Sequence, residues 1–440
     1  MVDVEGLNVL LIAIDTLRAD RMGCYGYRRR TTPQIDKYLA EDGVVFEEVI
    51  APGIPTHPAY TTIFTGLHPL KHKVVCHRGG VIPDYEVKTL PEVLYENGYI
   101  TAAVDNLVAT RALWFVRGYE YYLYPGGVTV ISEGAKISGE RVTEKAVSFL
   151  RLWSEGRLGS GPFFLFIHYW DPHAPYLPPR GFRESLYEGG ETPLRPLLEG
   201  SVWGRHLLRR WVGRLIKEGY DRKEYVDSLY DEEILYTDYQ VSRVIETLKD
   251  IGELDETLII LTSDHGEGMG ENGIFYDHHG LYDWDVRVPL IMRMPKVLPR
   301  DRRVRGLISH VDIFPTVLDI LGIEPPGGLD GESLLPLVGE ERIEGREFIV
   351  CVENTRMTKR AIRTTSWKLI ETLRPDVYGR PAGYIELYNL DSGGEDENLY
   401  EDEVEVAHEL LSRMEVWYRG ALNGGDDPLA VQPISLPIPL

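Results

Sequence analysis

The sequence predicts an α/β protein with a large, mixed and mostly parallel sheet sandwiched by helices, followed by a smaller C-terminal α+β subdomain. Short, continuously apolar segments alternate with segments of helical periodicity, which indicates strands buried on both faces of a sheet. The 440 residues are 43% hydrophobic and 26% charged, as in ordinary globular proteins. Because the pattern of elements changes near residue 345, we expect a large domain over 1–345 and a subdomain over 346–440.

In the large domain, apolar and amphipathic segments follow one another in order along the chain. The predicted strands are Val9–Ile14, Ile100–Val104, Phe163–Tyr169, Thr257–Thr262 and Val288–Met292. The predicted helices are Thr32–Glu41, Thr89–Asn97, Glu140–Ser154 and Glu232–Asp250. An inserted helical segment covers about 180–225 and contains the basic stretch Trp203–Lys223. Basic amphipathic stretches are common, so we favour a solvated helix face over a lid for an anionic partner.

The C-terminal subdomain has strand and helix patterns of its own. Its predicted strands are Phe348–Val352, Ala361–Ile370 and Tyr384–Asn389, and its predicted helix is Val404–Arg419. The last segment, Pro433–Leu440, is too rich in proline for a helix. Its alternating apolar residues predict an extended arm that docks on its own subunit or on a second copy, forming a homo-oligomer.

The charge balance limits the classes of partner. Lys and Arg number 47 and Asp and Glu number 69, so the formal charge is −22. This balance excludes a general nucleic-acid binder, which needs a basic surface, but it allows a small anionic substrate bound beside a metal ion. The three cysteines share no metal-type spacing and predict reduced thiols in the cytoplasm. The first apolar run, Asn8–Ile14, is shorter than the roughly 20 residues that span a bilayer, so we expect no membrane span.

Polar side chains follow several predicted strands, at the edge where such folds place their catalytic residues. Asp15, Asp171 and Asp264 each come within two residues of an apolar strand. His265 follows Asp264 directly, and Thr56 opens the sequence Thr-His-Pro. An Asp-His pair or a Thr-x-Pro helix start is by itself common without function. Together, the carboxylates, the imidazole and the hydroxyl predict a shared divalent cation.

Several motifs resemble the sulfatase family of the alkaline phosphatase superfamily. The opening Ile12–Gly26, with Asp15 and Asp20, resembles the family's first metal motif, and Leu261–Gly266 resembles its second. Thr56–Gly66 is similar to the family signature that carries the nucleophile. Further landmarks are Arg287–Leu290, His310–Thr316, Leu329–Leu334 and Glu386–Asn398. The resemblance therefore runs in order along nearly the whole chain.

Departures from the sulfatase signature determine the chemistry that the resemblance implies. Sulfatases carry Cys or Ser, which is converted to formylglycine, where this chain has Thr56. Ala59 and Tyr60 replace the signature Ser and Arg, and Thr16 replaces a second Asp. These changes resemble the threonine-nucleophile members, nucleotide pyrophosphatase/phosphodiesterases and phosphoglycerol transferases. We therefore expect hydrolysis of phosphodiesters or phosphonate monoesters through a phosphothreonine on Thr56. The alternatives are a sulfatase without formylglycine, a transferase, and a degenerate metal- or anion-binding protein.

The resemblance also implies roles for individual residues. The expected metal ligands are Asp15, Thr56, Asp264 and His265, and the donor types suit Mn²⁺, Zn²⁺ or Mg²⁺ better than Ca²⁺. The expected catalytic side chains beside Thr56 are His173 and His279, either of which could protonate the leaving group. The expected substrate-binding residues are His77, Arg78, Asn106 and His278. A second ion at Asp171, His173 and His279 is an alternative, but two-zinc relatives use an Asp-x3-His spacing, and the spacing here is Asp-x-His.

Overall fold

The strands and helices are seen in a computed structural model that describes residues 6–77, 83–110, 112–126, 137–339 and 344–432. Within these residues the strands are β1 (Asn8–Ile14), β2 (Val44–Ile50), β3 (Gly53–Ile54), β4 (Ile100–Val104), β5 (Tyr121–Tyr122), β6 (Phe163–Tyr169), β7 (Thr257–Thr262), β8 (Arg287–Arg293), β9 (Arg302–Ser309), β10 (Ile349–Asn354), β11 (Thr358–Arg363), β12 (Trp367–Arg374) and β13 (Ile385–Asn389).

The α-helices of the same residues range from single turns to one of 28 residues. They are α1 (Pro33–Ile35), α2 (Thr56–Thr65), α3 (Pro69–His72), α4 (Leu90–Glu96), α5 (Gly139–Ser154), α6 (Leu194–Glu199), α7 (Val202–Arg209), α8 (Trp211–Lys217), α9 (Lys223–Asp250), α10 (Asp283–Val286), α11 (Ile313–Ile320), α12 (Leu335–Val338), α13 (Val404–Leu422) and α14 (Pro428–Val431). A π-helical turn, Asp36–Ala40, continues α1.

The chain divides into two compact units, each assembled from separate segments. The first contains Met1–Glu47, Leu90–Ser263 and Pro289–Val304, and the second contains Glu48–Thr89, Asp264–Val288 and Arg305–Leu440. Each unit therefore takes residues from both ends of the predicted large domain.

The first unit is built on a sheet of eight strands, in the order β5-β4-β6-β1-β7-β8-β2-β9, of which β2, β8 and β9 continue along the chain into the second unit. Neighbours from β5 to β7 are parallel, and β8 runs antiparallel to β7. Strands β1, β6 and β7 are buried along their full length, because their side chains are apolar on both faces. Helix α5 packs on β6 and on α9. The predicted fold class, a mostly parallel sheet flanked by helices, is confirmed.

The second unit contains a five-stranded sheet in the order β13-β12-β11-β10-β3. Its strands are antiparallel except for the short parallel pair of β3 and β10. One face packs against α13 in an apolar core whose buried members include Val350, Ile362, Leu369, Leu410 and Met414. The amphipathic period of α13 thus covers the apolar face of this sheet.

Two elements differ most from those that the sequence predicts. The predicted strand Ala361–Ile370 is two strands, β11 and β12, because Thr364 turns the chain: its backbone N–H donates to Trp367 O at 2.8 Å and its hydroxyl accepts from the Trp367 N–H. The helix predicted from Glu232 begins at Lys223. In the inserted segment, Arg205, Arg209 and Arg214 are exposed, as on a solvated helix face.

Three further predictions concern thiols, membranes and the C-terminal arm. Cys24, Cys76 and Cys351, all among the described residues, form no disulfide. In the part of the chain that the structure describes, none of the helices has the length and apolar character needed to cross a bilayer. The predicted arm Pro433–Leu440 and the predicted substrate-binding residue Arg78 lie outside the described residues.

Asp238 on α9 provides a test of the first unit through the pH dependence of its stability. Its carboxylate accepts the backbone N–H groups of Gln34 and Ile35, at 3.0 and 2.7 Å from the same oxygen. Burial, with a smaller effect of Asp36, raises the pKa of Asp238 to about 7 despite these two hydrogen bonds. The folded chain therefore binds this proton more tightly than the unfolded chain does, and the stability it confers is lost as the pH rises towards 7.

We expect the Asp238→Asn variant to lose this component of the pH dependence. Between pH 4 and pH 8 the free energy of unfolding of the wild-type protein should fall by about 4 kcal/mol more than that of the variant. Urea denaturation at several pH values measures both. The matched control is Asp250→Asn, which changes an exposed carboxylate on the same helix and should leave the wild-type pH dependence intact. Parallel curves for wild type and Asp238→Asn would contradict the expectation.

Candidate active site

Thr56 is the first residue of α2 and is 3% exposed. It comes two residues after β3, which the parallel pairing with β10 positions so that Ile54 lies opposite Glu353. Gly53 permits this entry, because a Cβ there would lie 2.3 Å from Pro69 Cγ. The hydroxyl thus stands at the amino end of a ten-residue helix, where backbone N–H groups favour negative charge.

Asp264 and His265 lie beside Thr56 in the second unit. His265 Nε2 is 3.3 Å from Thr56 Oγ1 and 3.3 Å from Asp264 Oδ2, and both residues of the pair are fully buried. His265 Nδ1 lies 2.9 Å from the carbonyl oxygen of Gly266, which turns Nε2 towards the other two side chains. A carboxylate, an imidazole and a hydroxyl therefore converge, which is a donor set that a divalent cation can bind.

A second group of ligand-type side chains, Asp277, His278 and His279, lies next to this pair. The rings of His265 and His278 stack with their centroids 4.5 Å apart. His279 Nε2 lies 3.5 Å from Asp277 Oδ1. The three residues offer ligand atoms that all lie within 4.8 Å of one another, so they could also hold a metal ion.

Glu353 of β10 orients His279. Glu353 Oε1 lies 2.6 Å from His279 Nδ1, and Oε2 accepts the N–H of Gly280 at 2.8 Å. The hydroxyl of Thr355 donates to Glu353 Oε1 at 2.9 Å and lies 2.8 Å from His279 Nδ1. The carboxylate fixes both the ring orientation and the tautomer, so Nε2 is the atom that His279 presents for binding or proton transfer.

In the first unit, Asp15 lies in a chain of buried side chains with His168 and Asp105. His168 Nε2 is 3.5 Å from Asp15 Oδ2, and His168 Nδ1 is 2.7 Å from Asp105 Oδ1. Burial alone would lower the pKa of His168, but hydrogen bonds to Asp105 and Asp15 outweigh it and raise the pKa to about 9. The charged ring of His168 thus compensates the two buried carboxylates.

Asp15 and Asp264 follow two paired strands. Strand β1 is parallel to β7, with Ala13 opposite Thr262, and each aspartate comes two residues after the paired position. The strand-end rule therefore accounts for both residues. The proposal that Asp15 shares an ion with Asp264 and His265 stays a prediction.

The other predicted residues of the first unit are engaged locally. Asn106 Oδ1 accepts the indole N–H of Trp170. His173 Nδ1 lies 2.6 Å from the carbonyl oxygen of Ala174. Asp171 Oδ2 accepts the N–H of Gly139 at 3.0 Å, at the start of α5. Among the described residues, neither Asp171 nor His173 belongs to a group with metal-type spacing, so the alternative second ion at Asp171, His173 and His279 gains no support.

His77 is in the second unit, where its ring packs edge-on against that of His57 at 4.4 Å between centroids. His57 follows Thr56 directly along the chain. The role of His77 in binding a substrate stays a prediction.

Three positions with clear roles in this arrangement are absent from the residues that the sequence predicts. Glu353 orients His279. Glu267 orients His278, with Glu267 Oε1 at 3.4 Å from His278 Nδ1. Asp105 anchors His168. Asp105 directly follows β4, so the strand-end rule applied to that strand would have found it. No local pattern distinguishes Glu353, whose contact with His279 spans 74 positions of the chain.

Comparison with known proteins establishes the family. A family model described as Sulfatase matches residues 7–323, and one described as N-sulphoglucosamine sulphohydrolase, C-terminal, matches residues 270–418. The chain therefore belongs to the sulfatase family of the alkaline phosphatase superfamily. It is an enzyme that hydrolyses sulfate or phosphate esters, and members of this family depend on a metal ion.

Relatives of both chemical classes are similar to the chain. N-acetylglucosamine-6-O-sulfatase of Bacteroides thetaiotaomicron is 25% identical over 408 residues, covering 76% of this chain and 71% of that protein. A multifunctional alkaline phosphatase superfamily protein of Trinickia caryophylli is 25% identical over 415 residues, covering 76% and 77%. The crystal structure of the phosphonate monoester hydrolase of Agrobacterium radiobacter superposes with a TM-score of 0.74 at 24% identity, covering 94% and 96%. Most of the other similar curated proteins have sulfatase names.

The Glu353→Gln variant tests the orientation of His279. Glutamine keeps an acceptor oxygen but removes the charge that holds the Nδ1 proton, so we expect a 10- to 100-fold loss of kcat/KM on the best ester substrate. The matched control is Glu371→Gln in β12, whose carboxylate pairs with Arg360 away from these histidines. Equal activity of both variants, at equal melting temperatures, would remove Glu353 from the site.

Proposed function

We propose that the chain is a metal-dependent hydrolase of phosphodiesters or phosphonate monoesters that works through a phosphothreonine on Thr56. The observation that carries this proposal is the hydroxyl of Thr56 at the amino end of α2, 3.3 Å from His265 Nε2. By the motif resemblance, Thr56 corresponds to the sulfatase nucleophile, but threonine cannot be converted to formylglycine. The geometry supports attack by an ordinary hydroxyl.

The fate of the covalent intermediate favours phosphorus over sulfur. A formylglycine hydrate can expel sulfate by collapsing to the aldehyde, whereas a threonine ester must be resolved by attack on the central atom. In-line displacement with charge compensation is well suited to phosphoryl groups. The fold is shared with a phosphonate monoester hydrolase and equally with a 2-O sulfatase, so the choice of substrate rests on the threonine.

The donor set around Thr56 fits a divalent cation. Asp264 and His265 are fully buried, and His265 Nε2 lies 3.3 Å from both Asp264 Oδ2 and Thr56 Oγ1, so the three side chains could bind one ion. The sequence motif adds Asp15 as a further ligand. When bound, the cation lowers the pKa of the Thr56 hydroxyl and offsets charge on a phosphoryl oxygen. Mn²⁺, Zn²⁺ and Mg²⁺ all suit these donors better than Ca²⁺ does.

The side chains then divide the remaining work. The Thr56 hydroxyl releases its proton to solvent and Oγ1 forms a bond to phosphorus as the bond to the leaving oxygen breaks, while His173 or His279 supplies a proton to that oxygen. The non-bridging oxygens are bound by His77, by Arg78, which follows it in the sequence, and by Asn106 and His278. Water then attacks phosphorus, the bond to Thr56 Oγ1 breaks, and the threonine hydroxyl regains its proton.

Sulfate ester hydrolysis without formylglycine is the second candidate. The observation that favours it is the predominance of sulfatases among the similar curated proteins. A transferase to an alcohol acceptor would share the first half-reaction. A degenerate binding protein would retain the metal donors but show no turnover on any of these esters.

Substitution of Thr56 tests the nucleophile. We expect Thr56→Ala to lower kcat/KM on a bis-aryl phosphate by at least about 1000-fold. Thr56→Ser should keep a measurable fraction of the wild-type kcat/KM, because it retains a hydroxyl. The control is Thr61→Ala, which removes another buried hydroxyl of α2, one that donates to His57 O at 2.6 Å. Residual activity of Thr56→Ala above about a tenth of wild type would eliminate Thr56 as the nucleophile.

A comparison of ester classes separates the two candidate functions. We expect repeated turnover of a bis-aryl phosphate and an aryl phosphonate, with kcat/KM at least about tenfold above that of the matching aryl sulfate. With the sulfate ester we expect a single burst and a protein whose mass has gained one sulfuryl group on Thr56. Repeated turnover of the aryl sulfate at a higher kcat/KM would establish the sulfatase instead.

A further inference from the structure

We infer that Asp277, His278 and His279 form a second divalent-cation site, adjacent to Asp264 and His265, with the donor set of a zinc-type ion. Their ligand atoms lie within 4.8 Å of one another. Two imidazole nitrogens and one carboxylate oxygen are a common set of three protein ligands for zinc in enzymes, which leaves one coordination position open. The site differs from the second ion that the sequence alone suggests, since it contains neither Asp171 nor His173.

The histidines have the orientation of metal ligands. The Nδ1 atom of His279 lies 2.6 Å from Glu353 Oε1, and that of His278 lies 3.4 Å from Glu267 Oε1. Metal-binding histidines are typically held in this way by a carboxylate on the other nitrogen. His279 is fully buried, and within the described residues its Nε2 makes no hydrogen bond, lying 3.5 Å from Asp277 Oδ1. Nε2 is thus aimed at the carboxylate with which it would share an ion.

Asp277 is held with one oxygen turned towards the histidines. Its Oδ2 accepts hydrogen bonds from Arg356 Nη1 at 2.9 Å and from the hydroxyl of Tyr378 at 3.2 Å. Oδ1 is the atom near His279 Nε2. The two oxygens are therefore divided between a supporting role and a ligand role, as the geometry of a monodentate ligand requires.

The surrounding charge also calls for a cation. Glu267, Asp277, Asp285 and Glu353 are all at most 1% exposed. Burial, together with Glu353, Glu267 and Asp277, raises the pKa of Asp285 well above its usual value, which reports a strongly negative environment. Buried carboxylates are stable when paired with cations or bound to metals. A divalent ion between Asp277 and the two histidines would add to the positive charge that Arg356 already brings to Asp277.

The assignment rests on the proposed function only for its catalytic consequence. With both histidines bound to an ion, His278 would act on the substrate through that ion instead of contacting a non-bridging oxygen directly, and the proton for the leaving group would come from His173. The second positive charge would also suit the dianion of a phosphomonoester, extending the substrates beyond diesters.

Counting cobalt ions tests the site without reference to activity. The chelator-stripped protein is titrated with Co²⁺, and the visible absorption bands and the bound metal after gel filtration are measured. We expect two equivalents for wild type and one each for His279→Gln, Asp277→Asn and Asp264→Asn, with different spectra for the ion that remains. The control His408→Gln, an exposed histidine on α13, should bind two equivalents.

The variants keep the outcomes separable. One equivalent in wild type that His279→Gln and Asp277→Asn retain, or two equivalents in both of these variants, would overturn the second site. Thr56→Ala should retain the ion of the second site, because Thr56 is not one of its ligands. A second equivalent in an enzyme whose Thr56→Ala variant remains active would sustain the metal site while the proposed nucleophile fails. Far-ultraviolet circular dichroism of each metal-free variant verifies the fold. If His279→Gln does not fold, the number of cobalt ions bound by Asp277→Asn tests the second site.

Discussion

Burial of carboxylates is the constraint on which the rest of the site depends. Asp15, Asp105, Asp264, Asp277 and Glu353 are all at most 1% exposed. A charged carboxylate in such surroundings is unstable unless a cation or several hydrogen-bond donors face it. The described side chains that face these carboxylates include His168, His279 and Arg356, and the proposed metal ions would add further positive charge.

The two units meet the requirement in different ways. In the first unit, His168 lies between Asp15 and Asp105 and its raised pKa keeps the ring charged. In the second unit, each of three histidines has its Nδ1 atom directed at a carbonyl or carboxylate oxygen. Their Nε2 atoms are therefore the ones presented to ligands, which is the arrangement that metal binding needs.

The fold class and the strand positions followed from local sequence because the physical signal is local. A strand buried on both faces must be largely apolar, and Phe163–Tyr169 and Thr257–Thr262 are recognisable for that reason. The division between β11 and β12 was not recognisable, since the hydroxyl and amide of Thr364 make the turn without glycine or proline. The start of α9 was also missed, because the first turns of that helix are covered by tertiary packing rather than marked by a cap.

The sequence by itself determined the family motifs, the threonine that opens Thr56–Gly66 and the Asp-His pair after β7, since each is contiguous and its chemistry depends on residue type. Only the tertiary structure decided which carboxylate orients which histidine. Glu353 reaches His279 across 74 positions of the chain, and Asp105 reaches His168 across 63. Such contacts leave no periodicity and no local spacing, because they are set by strand order and by the need to pair buried charge.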